Sequence, residues 1–240
     1  MRIALFGDIH ANLEALEAVL EDATHQGVTD YVCIGDIVGY NADPGACLEK
    51  VRAMDCPIVK GNHDEDASAG HSLDTMNPVA AAALEWTRQQ LTIEQRQWLS
   101  RLRMVRQVSE FTVVHSTLDQ PSHWNYVTNR FDAMSNFSYQ FTQICFHGHT
   151  HVPRVYVKSD RVQEVAADSV VIEDGAKYFI NAGSVGQPRD GDWRACYAIY
   201  DLAHKMVVFR RVEYDIAETQ RKILTAGLPP MLAERIAEGR

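Results

Sequence analysis

The sequence predicts an α/β protein, and two observations support this fold class. Short apolar runs of the kind that form buried strands alternate with helical stretches over the first 64 residues. Each of the three strands predicted there is followed directly by polar side chains. Because ligands bind at the carboxyl ends of strands in such sheets, the pattern predicts a functional site along one sheet edge.

The first predicted strand is Arg2–Phe6, a short apolar run. Asp8 and His10 follow it. Residues two apart in an extended segment point to the same side, so both side chains can contact one ion. Asn12 is expected to cap a helix over about 13–26, because the apolar residues of that stretch recur at helical spacing.

The next strands deliver further polar groups in the same way. Tyr31–Ile34 is predicted to be the second strand, and it leads into Asp36. A helix is predicted over Pro44–Met54, with proline at its first position. The third predicted strand, Pro57–Lys60, leads into the run Gly61-Asn62-His63-Asp64.

Residues 65–102 are predicted to form a helical, cap-like segment beside the site, where substrate-specific shape would lie. Its first part, 65–77, is rich in Ser, Gly, Asp and His and is predicted to be a loop. Helices are predicted over Pro78–Gln90 and Thr92–Leu102, and Thr92 can start the second helix with a capping box.

The second half of the chain is predicted to consist mainly of strands. Met104–Val108 and Phe111–Val114 would form a hairpin that ends at His115, and Phe131–Phe141 a short helix. Ile144–Phe146 leads into the run from His147 to His151. The remaining predicted elements are strands at Val155–Val157, Ser169–Ile172, Lys177–Asn181, Ala195–Asp201 and Lys205–Arg211, and helices at Asp215–Ala226 and after Pro229-Pro230.

Composition restricts the class of protein and its compartment. The chain has 240 residues and a net charge of −9 at pH 7, which argues against a general nucleic-acid-binding surface. No apolar run reaches the roughly 18 residues of a membrane span, and the start of the chain is not a signal-peptide pattern. The five cysteines are odd in number and form no CxxC motif. We therefore expect one cytoplasmic domain over 1–240, without a membrane partner; a homo-oligomer formed through a sheet edge or the C-terminal helix is left open.

The polar groups at the strand ends are typical metal ligands. Carboxylate, amide oxygen and imidazole suit Mn, Fe, Zn, Co or Ni, whereas no thiolate site is predicted. Four stretches, 8–10, 35–36, 61–64 and 148–151, offer at least seven such groups. One tetrahedral ion with an open position requires fewer. Two ions bridged by one carboxylate account for the set, and two ions roughly 3.5–4 Å apart can clamp a phosphoryl group.

Each stretch has a simpler explanation when it is considered alone. Asp36 could be a turn residue, and Asn62 could be a turn or cap residue. The alternating histidines at 147, 149 and 151 could form one exposed strand face or a mononuclear site. The occurrence of all the stretches in this order favours the dinuclear site.

Five short blocks, taken in order, resemble the motifs of the calcineurin-like metallophosphoesterase superfamily: Asp8-x-His10, Gly35-Asp36, Gly61-Asn62-His63-Asp64, His115 and Gly148-His149-x-His151. The stretches 35–44 and 181–192 resemble its small bacterial and archaeal phosphodiesterase-like branch. The resemblance covers nearly the whole chain. It implies a four-layer α/β/β/α sandwich of two mixed β-sheets flanked by helices, with the site at the strand C-terminal ends.

The resemblance also implies a role for each residue of the site. The first ion would be held by Asp8, His10 and His151, Asp36 would bridge, and the second ion would be completed by Asn62, His115 and His149. The resemblance, and not the spacing, selects positions 149 and 151 over 147. His63 would be the catalytic histidine, which donates a proton to the leaving oxygen or stabilises its charge.

The function that the resemblance implies is a dinuclear-metal-dependent phosphoesterase. It would hydrolyse phosphodiesters or small phosphomonoesters by attack of a metal-bridging hydroxide, with manganese among the compatible ions. A protein Ser/Thr phosphatase or a dinucleoside polyphosphate hydrolase is the alternative. Protein Ser/Thr phosphatases of this superfamily carry Asp-Arg where this chain has Gly39-Tyr40, which weighs against these activities. A catalytically silent scaffold, similar to one retromer subunit that lacks the catalytic histidine, is the non-enzymatic alternative.

Several further residues are candidates for supporting roles. Arg189 and Arg194 could bind the substrate phosphate, or could equally be ion-pair partners of Asp190 or Asp192. Asp64 could orient His63 in place of the missing aspartate. The side chains that could line the cleft are His71, His123 and Trp124.

Overall fold

The computed structural model describes residues 1–70, 72–74 and 76–240. The strands are β1 (Arg2–Phe6), β2 (Asp30–Cys33), β3 (Val105–Val108), β4 (Phe111–Val114), β5 (Ile144–His147), β6 (Arg154–Lys158), β7 (Val162–Val165), β8 (Ser169–Val171), β9 (Lys177–Asn181), β10 (Ala195–Asp201) and β11 (Met206–Val212). The helices are α1 (Leu13–His25), α2 (Pro44–Ala53), α3 (Asn62–Ser68), α4 (Pro78–Gln90), α5 (Ile93–Ser100), α6 (Arg130–Tyr139), α7 (Ile216–Thr225) and α8 (Pro230–Glu238), with a 3₁₀ turn at Pro121–His123.

The strands form two mixed sheets. The first has the order β2-β1-β10-β11-β8, in which only β1 and β2 are parallel. The second has the order β3-β4-β5-β9-β6-β7, with β4, β5 and β9 parallel. Among these parallel strands, β1, β2, β4 and β5 lead at their carboxyl ends into predicted ligands.

The two sheets pack face to face, and the alternation of side chains along each strand explains why. In β1, Ile3 and Leu5 lie in the apolar core between the sheets, whereas Ala4 and Phe6 point to the opposite face. The inner core continues through Phe146 of β5 and other buried residues of both sheets. Strands that are apolar on both faces must be covered on both faces, which requires helices outside each sheet.

The helices complete four layers. Apolar residues of α1 and α2 cover the outer face of the first sheet, and α6 covers the second sheet through Phe137, whose ring lies 6.3 Å from that of Phe179. The predicted α/β/β/α sandwich is therefore confirmed. Helix α4 packs with α7 and α8 in a further apolar cluster, which Tyr40 also contacts.

Three local predictions were wrong. Residues 65–68 are not part of a loop, because α3 runs from Asn62 to Ser68 and is capped through the Asp64 side chain. The polar composition of this stretch led to the wrong prediction of a loop. Residues 57–60 form only isolated bridges, Ile58 with Cys33 and Val59 with Arg103, rather than a strand. Strand β7 was not predicted, because its residues Val162–Val165 lack a clear apolar run. His71 lies outside the described residues.

Two further observations concern the cysteines and the helices. All five cysteines are free thiols, and four of them are buried. The described part of the chain contains no helix with the length and apolarity needed to cross a bilayer.

The core between the sheets can be tested with one pair of phenylalanines. Phe146 is fully buried there, whereas Phe141 is 97% exposed. We predict that Phe146→Ala lowers the free energy of unfolding by about 3–5 kcal/mol, because it removes buried apolar contacts and leaves a cavity. Chemical denaturation measures the change. The matched Phe141→Ala variant should stay within about 0.5 kcal/mol of wild type, and an equal loss in both would contradict this assignment of the core.

Candidate metal centre

Six of the seven predicted ligands lie just after the carboxyl ends of strands from both sheets. Asp8 and His10 follow β1 and Asp36 follows β2 in the first sheet, whereas His115 follows β4 in the second. His149 and His151 follow β5, and Asn62 is the first residue of α3. Stacking the sheets face to face brings these chain segments to one end of the sandwich.

The ligand atoms fall into two groups that share one carboxylate. One atom each from Asp8, His10, Asp36 and His151 lie within 4.8 Å of one another, as do one atom each from Asp36, His115 and His149. Asp36 Oδ2 lies 3.5 Å from His10 Nε2 in the first group and 3.3 Å from His115 Nε2 in the second. The geometry therefore contains two adjacent pockets of ligand atoms with Asp36 between them.

Main-chain carbonyl groups select the tautomer of each imidazole. Nδ1 of His10 lies 3.2 Å from the Val38 oxygen, and Nδ1 of His115 lies 2.8 Å from the Ile34 oxygen. Because a carbonyl oxygen only accepts, each Nδ1 carries a proton, and Nε2 is the nitrogen that has a free lone pair when the ring is neutral. His151 follows the same pattern through the Gln187 oxygen at 2.6 Å.

His149 has the opposite tautomer. Its Nε2 lies 2.8 Å from the Trp124 carbonyl oxygen, so its Nδ1 is the nitrogen with the free lone pair. The histidines of both groups are therefore oriented by an outer hydrogen bond, as is usual for metal-ligating imidazoles.

Two observations show that the donor set fits cations. Nε2 of His10 lies 3.0 Å from Nε2 of His151, although the outer hydrogen bonds leave a lone pair on each of these atoms. Two lone pairs at that separation repel unless a positive charge lies beside them. In addition, the buried Oδ1 of Asn62 has no hydrogen-bond partner among the described residues. A buried oxygen without a hydrogen bond is uncommon, and binding to a cation would satisfy it.

The backbone is strained where it carries these ligands. Five of the seven predicted ligands are non-glycine residues with positive φ: Asp8, His10, Asp36, His149 and His151, with φ between 48° and 70°. Such residues cost on the order of 1–3 kcal/mol each and persist only where the surrounding structure holds them. Strain of this kind is typical of functional sites.

Asp64 holds the loop that carries Asp36. Its carboxylate accepts hydrogen bonds from the backbone N–H groups of Asp36 and Ile37, both at 2.9 Å, from that of Gly61 at 3.0 Å and from that of Val38 at 3.4 Å. This interaction also caps α3, so the idea that Asp64 orients the His63 side chain is wrong. A Cβ at position 61 would collide with Asp36 Oδ1, so the close approach of the two loops requires glycine there.

His63 is buried between aromatic rings rather than paired with a carboxylate. Its ring centroid lies 4.4 Å from that of Tyr40 and 4.7 Å from that of His10, while its backbone N–H donates to Asp36 Oδ1 at 2.8 Å. Its Nδ1 has no hydrogen-bond partner among the described residues. A Cβ on Gly39 would lie 2.5 Å from this Nδ1, so a glycine at position 39 makes room for the imidazole.

Burial and charge set the protonation of the site in the protein without ions. Burial lowers the pKa of His63 to about 4 and that of His149 to about 3, so both are neutral at pH 7. Burial would also lower the pKa of His115, but the carboxylates of Asp36 and Asp8 raise it to about 10. The His115 imidazolium thus supplies a positive charge beside the carboxylates, and bound ions would compete with its proton.

Of the other candidates, His147, Arg194 and His123 lie outside the ligand groups, whereas Trp124 lies beside the second group. His147 is buried with its ring stacked on Phe179 at 4.1 Å and belongs to neither ligand group. Arg194 pairs with Asp192 at 2.7 Å, and His123 is exposed in the 3₁₀ turn. The ring of Trp124 lies 5.9 Å from that of His115.

One aromatic residue beside the ligands was missed by the sequence analysis. The ring of Tyr126 is stacked on His149 at 4.2 Å and is nevertheless 56% exposed. A tyrosine in an irregular loop carries no periodic signal, so only the folded arrangement reveals its position.

The role of Asp64 predicts a specific defect. In an Asp64→Asn variant, the amide nitrogen would face backbone N–H donors, so at least one buried donor loses its partner. We predict a loss of about 2 kcal/mol in the free energy of unfolding and a fall of about 10- to 100-fold in affinity for Mn²⁺, measured by denaturation and by calorimetry. Glu94→Gln, on the exposed surface of α5, is the control and should change neither. Wild-type Mn²⁺ affinity in the Asp64→Asn variant would show that the clamp does not position Asp36.

Comparisons with known proteins agree with this architecture. A family model for the calcineurin-like phosphoesterase superfamily domain matches residues 1–205. An uncharacterized protein from Methanocaldococcus jannaschii is 36% identical over 243 residues, which cover 99% of this chain and 98% of the relative.

Solved structures extend the comparison. A metallophosphoesterase from Sphaerobacter thermophilus is 42% identical, with a TM-score of 0.88 over 100% of this chain and 99% of its own. A hypothetical protein from Pyrococcus horikoshii OT3 shares the fold at 18% identity, with a TM-score of 0.81 over 100% and 98% of the two chains. The matches span the chain and include the segments that carry the metal-ligand groups. The chain therefore belongs to the calcineurin-like phosphoesterase superfamily and is a hydrolase that acts on phosphate esters.

Proposed function

We propose that this protein is a dinuclear-metal-dependent phosphodiesterase that acts on a small phosphorylated substrate. The observation that carries the proposal is the position of Asp36 between two groups of ligand atoms. Asp8, His10 and His151 would hold the first ion with Asp36, and Asn62, His115 and His149 would hold the second with Asp36. Mn, Fe, Zn, Ni and Co all suit this donor set, and we expect the protein to work in the cytoplasm.

When bound, two such ions supply an activated water and stabilise negative charge on the phosphoryl oxygens. The residues of the chain orient the reaction around them. The outer hydrogen bonds of the imidazoles prevent the ligands from rotating, and the burial of the ligands limits competing water.

His63 is the proposed catalytic residue. It is neutral at pH 7 in the protein without substrate, and one ring nitrogen carries a proton. A bound phosphate anion would raise its pKa, so the imidazole can give a hydrogen bond or a proton to the leaving oxygen. The rings of Tyr40 and His10 orient the His63 ring. In the protein Ser/Thr phosphatases of the superfamily, an aspartate at the position of Gly39 would have this role.

The charge around the site favours a diester over a monoester. A phosphodiester carries one negative charge, whereas a monoester carries nearly two at neutral pH. Position 40 is a neutral tyrosine, whereas protein Ser/Thr phosphatases of the superfamily have an arginine there. Apart from the ions, a bound phosphate would therefore contact less positive charge here than in those enzymes. Arg189 is the cation that we place beside the substrate, because its Nη2 lies 3.5 Å from the Tyr40 hydroxyl.

The proposal predicts metal-dependent cleavage of a simple diester. Metal-stripped protein should regain hydrolysis of bis-p-nitrophenyl phosphate when Mn²⁺ or another suitable ion is added back, with a higher kcat/KM than for p-nitrophenyl phosphate. Comparing Mn, Ni, Co, Zn and Mg in the same assay measures this preference. A higher kcat/KM for the monoester would indicate a phosphatase instead, and no turnover of either compound with two ions bound would contradict the proposed activity.

His63 can be separated from the ligands by substitution. We predict that His63→Ala lowers kcat for the diester by about 10²–10⁴-fold while the protein still binds two ions, because the hydrogen bonds that orient the ligand imidazoles go to main-chain oxygens and not to the His63 ring. Metal content and kcat are measured on the same preparation. His123→Ala, in the exposed 3₁₀ turn, is the control and should behave as wild type. Unchanged kcat in His63→Ala would refute the assigned role.

A further inference from the structure

The loop that follows the 3₁₀ turn, residues 124–129, lies against the second ligand group. The ring of Tyr126 is stacked on the His149 imidazole, with centroids 4.2 Å apart and planes inclined by 23°. The Trp124 ring lies edge-on to that of His115, with centroids 5.9 Å apart. Both histidines that are proposed to hold the second ion therefore border aromatic residues of this one loop.

The stacking leaves the ligand nitrogen of His149 free. The lone pair of an imidazole nitrogen lies in the plane of the ring, and Nδ1 is the nitrogen that can use it, because Nε2 faces the Trp124 carbonyl oxygen. Tyr126 covers the face of the imidazole and not its edge. The tyrosine ring therefore lies beside the second ligand group without taking a position that an ion would need.

Tyr126 is exposed although the loop that carries it is anchored. The next residue, Val127, is buried in the apolar cluster under α6. The main chain of Thr128 is held on both sides, since its N–H donates to Asp132 Oδ2 at 2.9 Å and its carbonyl oxygen accepts from Arg154 Nη1 at 3.1 Å. The 56% exposure of Tyr126 is thus a consequence of a fixed loop conformation that holds the ring at the surface.

The position of Tyr126 distinguishes it from the other exposed tyrosine and phenylalanine side chains. In the described part of the chain these are Phe131, Tyr139 and Phe141. Phe131 contacts the Arg130 guanidinium, and no ring of the three contacts a predicted ligand. A single exposed aromatic residue is ordinary, but a flat ring that is fixed on a metal ligand and open to water can contact whatever that metal centre binds.

One face of the Tyr126 ring remains available. The His149 imidazole covers the other face, and the exposed fraction shows that the protein leaves much of the ring uncovered. A planar group of a bound ester can therefore stack on the free face. Nucleobases bind to aromatic side chains in this way, and such stacking accepts different bases because every base has a flat π-face.

We propose that Tyr126 is a specificity-determining residue that stacks on a nucleobase of the substrate. The inference rests on the proposed function and narrows it to nucleoside phosphodiesters. In these compounds the phosphate would bind at the metal centre while the base, attached through the sugar, contacts the Tyr126 ring. Trp124 borders the same side of the centre through His115 and adds apolar surface there.

The two sides of the centre would then bind different parts of the substrate. Arg189 lies on the side of the first ligand group, because its backbone N–H donates to the His151 carbonyl oxygen at 3.2 Å. Tyr126 lies on the side of the second group, through its contact with His149. A cation on one side suits the phosphate oxygens, and a flat ring on the other side suits the uncharged base.

Calorimetry on the Mn²⁺-loaded protein tests this role with adenosine 5′-monophosphate and ribose 5-phosphate as probes. Both probes carry the same phosphate on the same sugar, so the ratio of their dissociation constants reports on the base and not on the ions. We expect wild type to bind the nucleotide about tenfold more tightly. Tyr126→Leu keeps an apolar side chain without a flat ring and should bring the ratio close to one, whereas Tyr126→Phe should retain it.

The matched control is Tyr139→Leu on α6, since Tyr139 is similarly exposed and has no ring contact with a predicted ligand. It should leave the ratio unchanged. Equal affinity of wild type for the two probes would overturn the proposal, as would a wild-type ratio in Tyr126→Leu or a lost ratio in Tyr126→Phe. Because the readout is binding, failure of the base site is distinguished from failure of the proposed activity, which would appear as absence of diester turnover in wild type.

Discussion

The arrangement of this site depends on how the loop that carries Asp36 is held. The Asp64 carboxylate accepts hydrogen bonds from the backbone N–H groups of Asp36 and Ile37 in that loop and of Gly61 at the start of α3. Asp36 in turn approaches the ligands of both sheets and accepts the His63 backbone N–H. One buried carboxylate therefore couples the position of the shared ligand to that of the proposed catalytic histidine. A carboxylate has enough lone pairs to accept several N–H groups at once, which no neutral side chain of that size does.

Strain is concentrated at the ligands, and the rest of the fold sustains it. Five ligand residues have left-handed backbone conformations, which oppose folding. The compensating free energy comes from burying apolar side chains between the two sheets and under the helices. The strands and helices thus stabilise the fold. The segments that follow them adopt unfavourable backbone conformations, which direct the ligand atoms toward the same sites.

Charge is distributed unevenly in this acidic chain. The buried imidazoles are neutral apart from His115, and the carboxylates of Asp8 and Asp36 lie at the centre of the site. A positive charge lies at one flank, on Arg189, whose contacts with Gln187 and Tyr40 are with neutral groups. An incoming phosphate would therefore meet a cation from that flank as well as from any ions in the centre, despite the net charge of −9. Tyr40 connects the two regions, because its ring contacts the imidazoles and its hydroxyl lies near Arg189.

The sequence by itself determined the regular elements and the chemistry of the donor set. Local periodicity predicted β1, α4 and β9 with their observed bounds, since the alternation of apolar residues is a local property. It failed at Pro57–Lys60 and at α3, where contacts with distant residues decide the backbone conformation. Only the tertiary structure placed Asp36 between two ligand groups, excluded His147 by stacking it on Phe179, and assigned Asp64 to backbone N–H groups. It alone joined the end of α8 to the loop after β9, through the Gly191 N–H and the Gly239 carbonyl oxygen, because a contact between residues 48 positions apart depends on the packing of α8 and leaves no periodic trace in the chain.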